Sequence, residues 1–495
     1  MSKLLKDILK NINYSLYYKG EESIEIPEIT IDEIIIDSRK AKLNTLFVAL
    51  VGTQKDGHDF IPQVLEMGCS VYICEKKIEN NSAYQILVKD SNKVLGELSA
   101  NFYDHPSKKL KLIGITGTNG KTTTATLAYQ CFNDLGYKSG LLSTIVNKIG
   151  EKEIVSTHTT PNPIEINRLL SLMLKEGCTH CFMEVSSHAI VQRRIDGLHF
   201  DVAVFANITH DHLDYHKTFD EYIKAKKTFF DTLDSKAIAL TNLDDKNGLV
   251  MLQNTKAKKM TYALKSPADY KVKIIENNLN GLELQINNRF VCTLLTGVFN
   301  AYNITAVYAI GDILGLDQIE LLTTISKQKA IKGRFQSFQS ESGITAIVDY
   351  AHTPDALENV LKTIQQVKQN ALKKSKIISV VGCGGDRDKE KRPKMAKIAC
   401  LYSNQVILTS DNPRSEDPSI IIKEMSAGIS EQDYSKVLEI IDREQAIKTA
   451  CSIANKEDII LIAGKGHETY QEINGVKNDF DDYKIVTENL EKIKK

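Results

Sequence analysis

Gly117-Thr118-Asn119-Gly120-Lys121-Thr122-Thr123 is the stretch that decides how this chain is read. It follows directly on a largely apolar run, Leu112 to Thr116. After it, Ala125, Leu127, Ala128, Cys131, Phe132 and Leu135 fall on one face at helical spacing. Strand, glycine-rich turn and helix is the arrangement in which backbone N–H groups and a helix N-terminus cradle phosphates. In such a loop Lys121 reaches the β and γ phosphates of a nucleotide and the Thr122 hydroxyl coordinates Mg²⁺. Ile115 stands where the full GxxxxGK[ST] pattern has its first glycine, so the loop is a shorter GxxGKTT variant. A tight turn that happens to carry a lysine would not need both flanks.

Around this loop the composition is that of an ordinary globular protein. The chain has 495 residues, 42% hydrophobic and 25% charged, with 27 glycines and 10 prolines. That length suggests about three domains at roughly 150 residues each. Lys plus Arg and Asp plus Glu both number 63, so the net charge is zero, which argues against a broad nucleic-acid footprint or a polybasic membrane surface. No apolar run approaches the ~18 residues of a spanning helix. Leu4, Leu5, Ile8, Leu9 and Ile12 predict a docked amphipathic helix over Met1–Tyr14 rather than a signal peptide, since Lys6 and Lys10 interrupt it. Nine scattered cysteines read as buried free thiols, and Cys178-Thr179-His180-Cys181, a lone CxxC pair, reads as plain packing. Together these predict a cytoplasmic protein with no nucleic-acid or membrane partner.

Composition shifts divide the chain into residues 1–108, 109–333 and 334–495. The first is a small α/β module with short β-branched runs at Ile34–Asp37, Leu46–Val51 and Val71–Cys74. In the second, strands alternate with helical patterns, the signature of a mostly parallel sheet. The third repeats that alternation, with strands at Thr345–Asp349, Lys376–Val381, Gln405–Ser410 and Asp458–Ala463. Two strand ends of the middle region carry chemistry: Cys181–Val185 runs into Glu184-Val185-Ser186-Ser187-His188, and Asp201–Ile208 runs into Asn207-Ile208-Thr209-His210-Asp211-His212. Ligands of open α/β sheets bind at the carboxyl ends of strands, and Glu184 is a hard oxygen ligand suited to Mg²⁺. His210, His212 and His216 with Asp211 and Asp214 could be read as a transition-metal site, but no HExxH or Cys partner supports that, and a polar loop with one or two functional members is the simpler reading.

Further motifs follow in a fixed order: EVSSHAIVQRR (Glu184 to Arg194), NITHDHLDYH (Asn207 to His216), GRF (Gly333 to Phe335), DYAHTPDAL (Asp349 to Leu357), GCGGDRD (Gly382 to Asp388), DNPR (Asp411 to Arg414) and GKGHE (Gly464 to Glu468). This ordered set resembles the Mur ligases over essentially the whole chain. The resemblance implies an α/β, three-domain architecture: a UDP-substrate domain, a central P-loop ATPase sheet and a C-terminal, Rossmann-like amino-acid domain. It implies an ATP- and Mg²⁺-dependent amide ligase acting through an acyl phosphate, working as a monomer. By the same resemblance Lys121, Glu184, His210 and a carbamylated Lys226 are catalytic. Thr122, Glu184, His210 and Lys226 hold metal, and Asn300, Arg334 and Asp349 join Gly117 to Thr123 around the nucleotide. Read without the resemblance, Lys226 is one of three lysines on a solvated helix face, Tyr222 to Thr228.

The UDP-substrate residues implied are Ile36, Ser38, Thr53, Gln54 and Lys55, with Thr159, Thr160, Ser186, Gln192 and Arg194 for the muramoyl-peptide. His158 stands where many relatives carry Asn. For the incoming amino acid the choice is between lysine and meso-diaminopimelate, which differ by a distal carboxylate. Asp411, Asn412, Pro413, Arg414, Arg387, Gly464 and Glu468 lie just past three strands that can converge on one crevice. Arg414 offers a fork for a carboxylate, Arg387 would hold a further one, and Glu468 could accept the distal ammonium. DNPR is also the form seen in diaminopimelate-adding relatives. The expected acceptor is therefore UDP-N-acetylmuramoyl-L-alanyl-D-glutamate and the expected amine meso-diaminopimelate.

Other readings account for fewer residues. Related ligases, folylpolyglutamate synthases among them, do not call for GCGGDRD, DNPR and GKGHE together. A nucleotide-regulated binding protein leaves Glu184, His210 and Lys226 unexplained, and a dinucleotide oxidoreductase meets Arg387 where the third glycine of GxGxxG belongs. Sites at domain junctions imply closure, because the amine must reach an acyl phosphate formed on another domain. Small-angle scattering profiles are expected to differ with and without an ATP analogue plus UDP-substrate; superimposable profiles would count against closure.

Overall fold

The computed structural model describes residues 2–52, 55–79, 83–371 and 375–492. Its largest sheet has eleven strands, and the phosphate-loop strand Lys111–Thr116 lies near the middle of it. Parallel neighbours are His180–Glu184 on one side and Val202–Phe205 on the other, and parallel pairing continues outward to Ser139–Leu142 and to Ile238–Asn242, Lys258–Ala263 and Tyr270–Asn278. Antiparallel strands close both edges. The middle strands are buried on both faces and so read as continuous apolar runs rather than alternating ones.

The helix after the loop, Lys121–Asp134, begins with three threonines, each up to ~0.7 kcal/mol worse than alanine in a helix. Burial offsets this: Ala125, Leu127, Ala128, Cys131 and Phe132 sit in the core of the central sheet, and a large side chain buried in this way contributes roughly 1.5–3 kcal/mol. The threonines stay because their hydroxyls are used: Thr122 donates to Glu184 and Thr124 to Asn303.

A second, six-stranded sheet holds the C-terminal motifs. Its order is Gln336–Gln339, Thr345–Asp349, Ile459–Ala463, Ile377–Cys383, Gln405–Ser410 and Val437–Glu439, with the last five parallel. The strands ending in GKGHE, GCGGDRD and DNPR are thus immediate neighbours. A third sheet, also six-stranded, is formed by the N-terminal residues and includes Glu33–Ile35, Thr45–Val48 and Val71–Cys74.

Two expectations change. The predicted helix over Met1–Tyr14 is a short strand, Lys3–Leu4, paired with Thr30–Ile31, followed by the single turn Leu5–Ile8. Leu5, Ile8 and Leu9 are buried as the pattern demanded, but Asn11 at φ 63° ends the helix. The strand predicted over Asp201–Ile208 stops at Phe205, because the backbone beyond it serves the phosphate loop: Asn207 O accepts Thr118 N–H, and Ile208 N–H goes to Asp245. Cys178 and Cys181 are both buried in the core, and burial pushes both thiols up. Among the described residues no helix is long and apolar enough to cross a membrane.

Arg443 and Asp482 are both fully buried and form a two-bond ion pair, each bond 2.8 Å. Arg443 also donates to Ser410 O and Ala463 O, tying the ends of two sheet strands to the C-terminal helix Asp482–Lys492. Removing one partner of a buried pair leaves an uncompensated charge. Asp482→Ala is expected to destabilise the fold by about 3–5 kcal/mol, read from urea unfolding; a loss below 1 kcal/mol would contradict this role.

Candidate active site

Gly120 stands at the N-cap of the phosphate-loop helix at φ 87°, in the left-handed region, where a Cβ would lie 2.6 Å from Asn303 Oδ1. No side chain caps this helix. Other long helices are capped by Asn162, Thr218 and Asp442, each accepting a first-turn N–H, although Val298–Ile313 and Lys391–Tyr402 also lack a side-chain cap. An uncapped first turn leaves donors and the positive end of the helix dipole for an anion.

Two lysines converge beneath the loop. Lys121 Nζ donates to Gly117 O at 2.8 Å and to Thr118 O at 2.9 Å, while Lys226 Nζ donates to the same Gly117 O at 2.9 Å. Lys226 is 1% exposed, lies over the Tyr222 ring, and has no acidic partner among the described residues. Burial, and then the neighbouring Lys121, hold its amine well below the ordinary lysine value. Burial lowers Lys121 as well, against the pull of Glu184 and Asp211.

Glu184 is fully buried at its strand end. Its carboxylate accepts Thr122 Oγ1 at 2.9 Å and the Thr144 N–H at 2.7 Å, and its backbone carbonyl takes Thr160 Oγ1 at 2.7 Å. The structure therefore joins Thr122 with Glu184 and sets Lys226 at the base of the same loop. His210 is exposed, without a hydrogen bond or ion pair among the described residues. His216 bonds Ser187, and His188 packs its ring against His212, Tyr215 and His216. Among the described residues no three His, Cys, Asp or Glu side chains are gathered to hold a metal, so the transition-metal reading of the 210–216 cluster is corrected to an aromatic and imidazole cluster. Burial keeps these rings neutral, with His212 pushed down to about 3 and His216 to about 4.

The C-terminal region reaches over the loop. Arg334 Nη2 donates to Thr122 Oγ1 at 3.2 Å and its guanidinium lies 4.4 Å over the Tyr350 ring. Asp349, its carboxyl raised by burial, accepts the Phe335 N–H at 2.7 Å. Asn300 is held by Thr296 and Asn303. Asp355, not singled out in the sequence although it lies inside DYAHTPDAL, accepts Asn119 Nδ2 at 2.9 Å and Thr209 Oγ1 at 3.1 Å. Asn207 was likewise missed as a loop clamp: its side chain takes the Asn119 N–H at 2.8 Å.

The expected acceptor residues form two groups. Thr159 accepts Thr144 Oγ1, Ser186 N–H donates to Thr160, and Arg194 forks onto Gln192 while donating to Thr160 O at 2.8 Å. These form one network with Glu184. On the N-terminal sheet, Ile36 is half-buried and Ser38 opens a short 3₁₀ turn whose start is capped by Asp37, held down to about 2 by Arg39. Lys55 is exposed, and Thr53 and Gln54 lie outside the described residues.

The amino-acid motifs meet at the three adjacent strand ends. Arg414, at φ 52°, donates Nη1 to Gly385 O at 2.6 Å. Asn412 donates to Glu468 at 2.7 Å, and the fully buried Lys465 bonds both Asn412 and Glu468. A Cβ on Gly464 would meet Asp411, and Pro413 O packs against Gly385. Arg387 is exposed, without a hydrogen bond or ion pair among the described residues.

Three family models match the chain: the Mur ligase family catalytic domain at residues 30–103, the Mur ligase middle domain at 115–311, and the Mur ligase glutamate ligase domain at 333–466. A relative from Cytophaga hutchinsonii, named UDP-N-acetylmuramoyl-L-alanyl-D-glutamate–2,6-diaminopimelate ligase, is 55% identical over 94% of this chain and 96% of its own length. The chain belongs to the Mur ligase family. A relative of the same name from Clostridioides difficile is 41% identical over 99% of this chain and 100% of its own. A solved structure bearing that name shares 32% identity and a TM-score of 0.70 over 99% of both chains. A MurF structure from Acinetobacter baumannii, 18% identical with a TM-score of 0.66 over 99% of both chains, shows the same fold. This Mur ligase thus carries the α/β family architecture, with its phosphate loop, its Glu184 network and its DNPR crevice on neighbouring sheets.

Proposed function

We propose that this Mur ligase adds meso-diaminopimelate to UDP-N-acetylmuramoyl-L-alanyl-D-glutamate, with ATP, as a step in peptidoglycan precursor synthesis. The reading is carried by Arg414 in the DNPR turn at three converging strand ends, together with near full-length relatives named for this reaction. The assignment treats residues 1–108 as the UDP-substrate domain, 109–333 as the ATPase and 334–495 as the amino-acid domain, in a cytoplasmic monomer.

The chemistry brings anions together. The free carboxylate of the acceptor attacks the terminal phosphorus of ATP, the bond to the β-phosphate oxygen breaks, and ADP leaves an acyl phosphate behind. The amine then attacks the acyl carbon, and the tetrahedral intermediate expels phosphate to give the amide. Lys121, the uncapped helix N-terminus and Arg334 offset the repulsion between phosphates and carboxylate. Thr122 and Glu184 offer hard oxygen donors for Mg²⁺, which when bound supplies further neutralisation of developing charge. His210 is assigned to the same metal chemistry from the exposed loop rim.

Lys226 fits carbamylation. A buried amine of lowered proton affinity without an acid partner among the described residues can attack CO₂ and lose a proton to solvent, and the resulting carbamate replaces repulsion from Lys121 by attraction while adding an anionic oxygen ligand. Lys226→Ala is expected to lose ligase activity and to regain part of it with formate or acetate; full activity without rescue would sink this role.

Lysine would bring an ammonium toward Arg414 and leave the guanidinium unmatched, a penalty of roughly 2–5 kcal/mol, or about 30-fold to several-thousand-fold in discrimination. Kinetics on the wild type should show that preference in kcat/KM for meso-diaminopimelate over L-lysine, and Arg414→Ala should erase most of it. Comparable wild-type values for the two amino acids would overturn the assignment.

A further inference from the structure

Thr144 stands between the carboxylate assigned to Mg²⁺ and the residues assigned to the acceptor. It lies in the turn after the strand Ser139–Leu142, which pairs in parallel with His180–Glu184. The turn is braced from within: Ser143 N–H donates to Asn147 Oδ1 at 3.2 Å and Ser143 Oγ to Val146 O at 2.8 Å. Across from it, Thr160 is pinned by its Oγ1 bond to Glu184 O and by Arg194 on its own carbonyl. Thr159, the residue before it, is half-buried and open to a ligand. The heavy atoms around Thr144 are thus fixed, and its hydroxyl proton is the part that can turn.

The two oxygens of Glu184 are unequally supplied. Oε1 accepts two donors, the Thr144 N–H at 2.7 Å and Thr122 Oγ1 at 2.9 Å. Oε2 has a single donor among the described residues, Thr144 Oγ1 at 3.2 Å. The same Oγ1 lies 3.0 Å from Thr159 Oγ1. A threonine hydroxyl carries one proton, so at full strength it serves one of these two oxygens. We propose that Thr144 is a positioning residue that couples acceptor binding to metal binding. An anionic group of the acceptor takes a hydrogen bond from the Thr159 hydroxyl, which leaves Thr159 Oγ1 with only lone pairs toward Thr144. Thr144 then donates to Thr159 and releases Glu184 Oε2, leaving a lone pair of that oxygen for a hard cation. No proton changes owner; two hydroxyls rotate. Glu184 itself stays in place, because the Thr144 N–H still holds Oε1. This rests on the reading that Thr159 lines the acceptor and Glu184 the metal.

The test follows Mn²⁺, the spectroscopic stand-in for Mg²⁺, binding to the full chain by electron paramagnetic resonance. Nucleotide is left out, and UDP-N-acetylmuramoyl-L-alanyl-D-glutamate is absent or saturating. The proteins are wild type, Thr144→Ser, which keeps the hydroxyl, and Thr144→Val, which removes it. Metal held by the acceptor's pyrophosphate, and charge attraction between acceptor and metal, are common to all three and cancel in the comparison. The acceptor is expected to tighten Mn²⁺ in wild type and Thr144→Ser, and to do so about 3-fold to 10-fold less in Thr144→Val. Thr159→Val is expected to lose the same share of the tightening. Without acceptor, Thr144→Val is expected to bind Mn²⁺ more tightly than wild type, since Oε2 then has no competing donor. Equal tightening in wild type and Thr144→Val would remove the hydroxyl from the coupling. Weaker Mn²⁺ binding by Thr144→Val in both states would make Thr144 a plain anchor for the carboxylate, and no tightening in wild type would leave nothing to couple; each result overturns the proposal. A wild type that fails to bind the UDP-dipeptide by calorimetry, or Mn²⁺ in either state, would instead overturn the site readings beneath it.

Discussion

Two lysine amines on one carbonyl oxygen, Gly117 O, are the constraint around which the central site is built. Two ammonium groups so close in a buried setting repel, and burial together with that repulsion lowers the proton affinity of both amines, Lys226 well below the ordinary lysine value. Glu184 and Asp211 pull the Lys121 amine back toward its charged form against burial. The uncapped helix start adds further positive potential at the same spot. A site with this much positive character suits an anionic ligand.

The loop is also the place where distant parts of the chain meet. Asn119 is clamped from one side by Asn207 and from the other by Asp355, while Thr122 receives Arg334. Phe299 and Phe335 pack at 5.6 Å beside that junction. A nucleotide bound at the loop would therefore touch residues of both sheets, and the polar bridges at Asp355 and Arg334 are the contacts its phosphates would compete with or reinforce. The amino-acid crevice is stiffer: Lys465 braces Asn412 and Glu468 from below, and Arg392, itself fully buried, forks onto Glu416 while donating to Gly384 O.

Much of the site could be read in the chain because its chemistry is local. Gly117–Thr123, flanked by an apolar strand and an amphipathic helix, specifies a phosphate loop through spacing alone, and the ends of three apolar runs mark where the amino-acid motifs emerge. Lys226 was visible only as one lysine among three; what distinguishes it is burial at Gly117, which no helical pattern announces. Asp355, Asn207, Lys465, Arg443 and Glu472 have partners between 39 and 236 positions away in sequence, which no local pattern announces.

The sequence by itself determined the elements: which runs become buried parallel strands, where the glycine turn falls, and which residue types stand at the strand ends. Periodicity and turn chemistry act over a few residues, and these features depend on nothing further away. Tertiary structure decided the rest. It reduced a predicted N-terminal helix to the turn Leu5–Ile8 preceded by a strand, Lys3–Leu4, because Thr30–Ile31 offered a ladder, and it ended the predicted Asp201–Ile208 strand at Phe205 because the backbone beyond was needed at the phosphate loop. It also lowered the proton affinity of Lys226 and paired Arg414 with Glu472, since proton affinity and ion pairing depend on what surrounds a group in space and not on its neighbours in the chain.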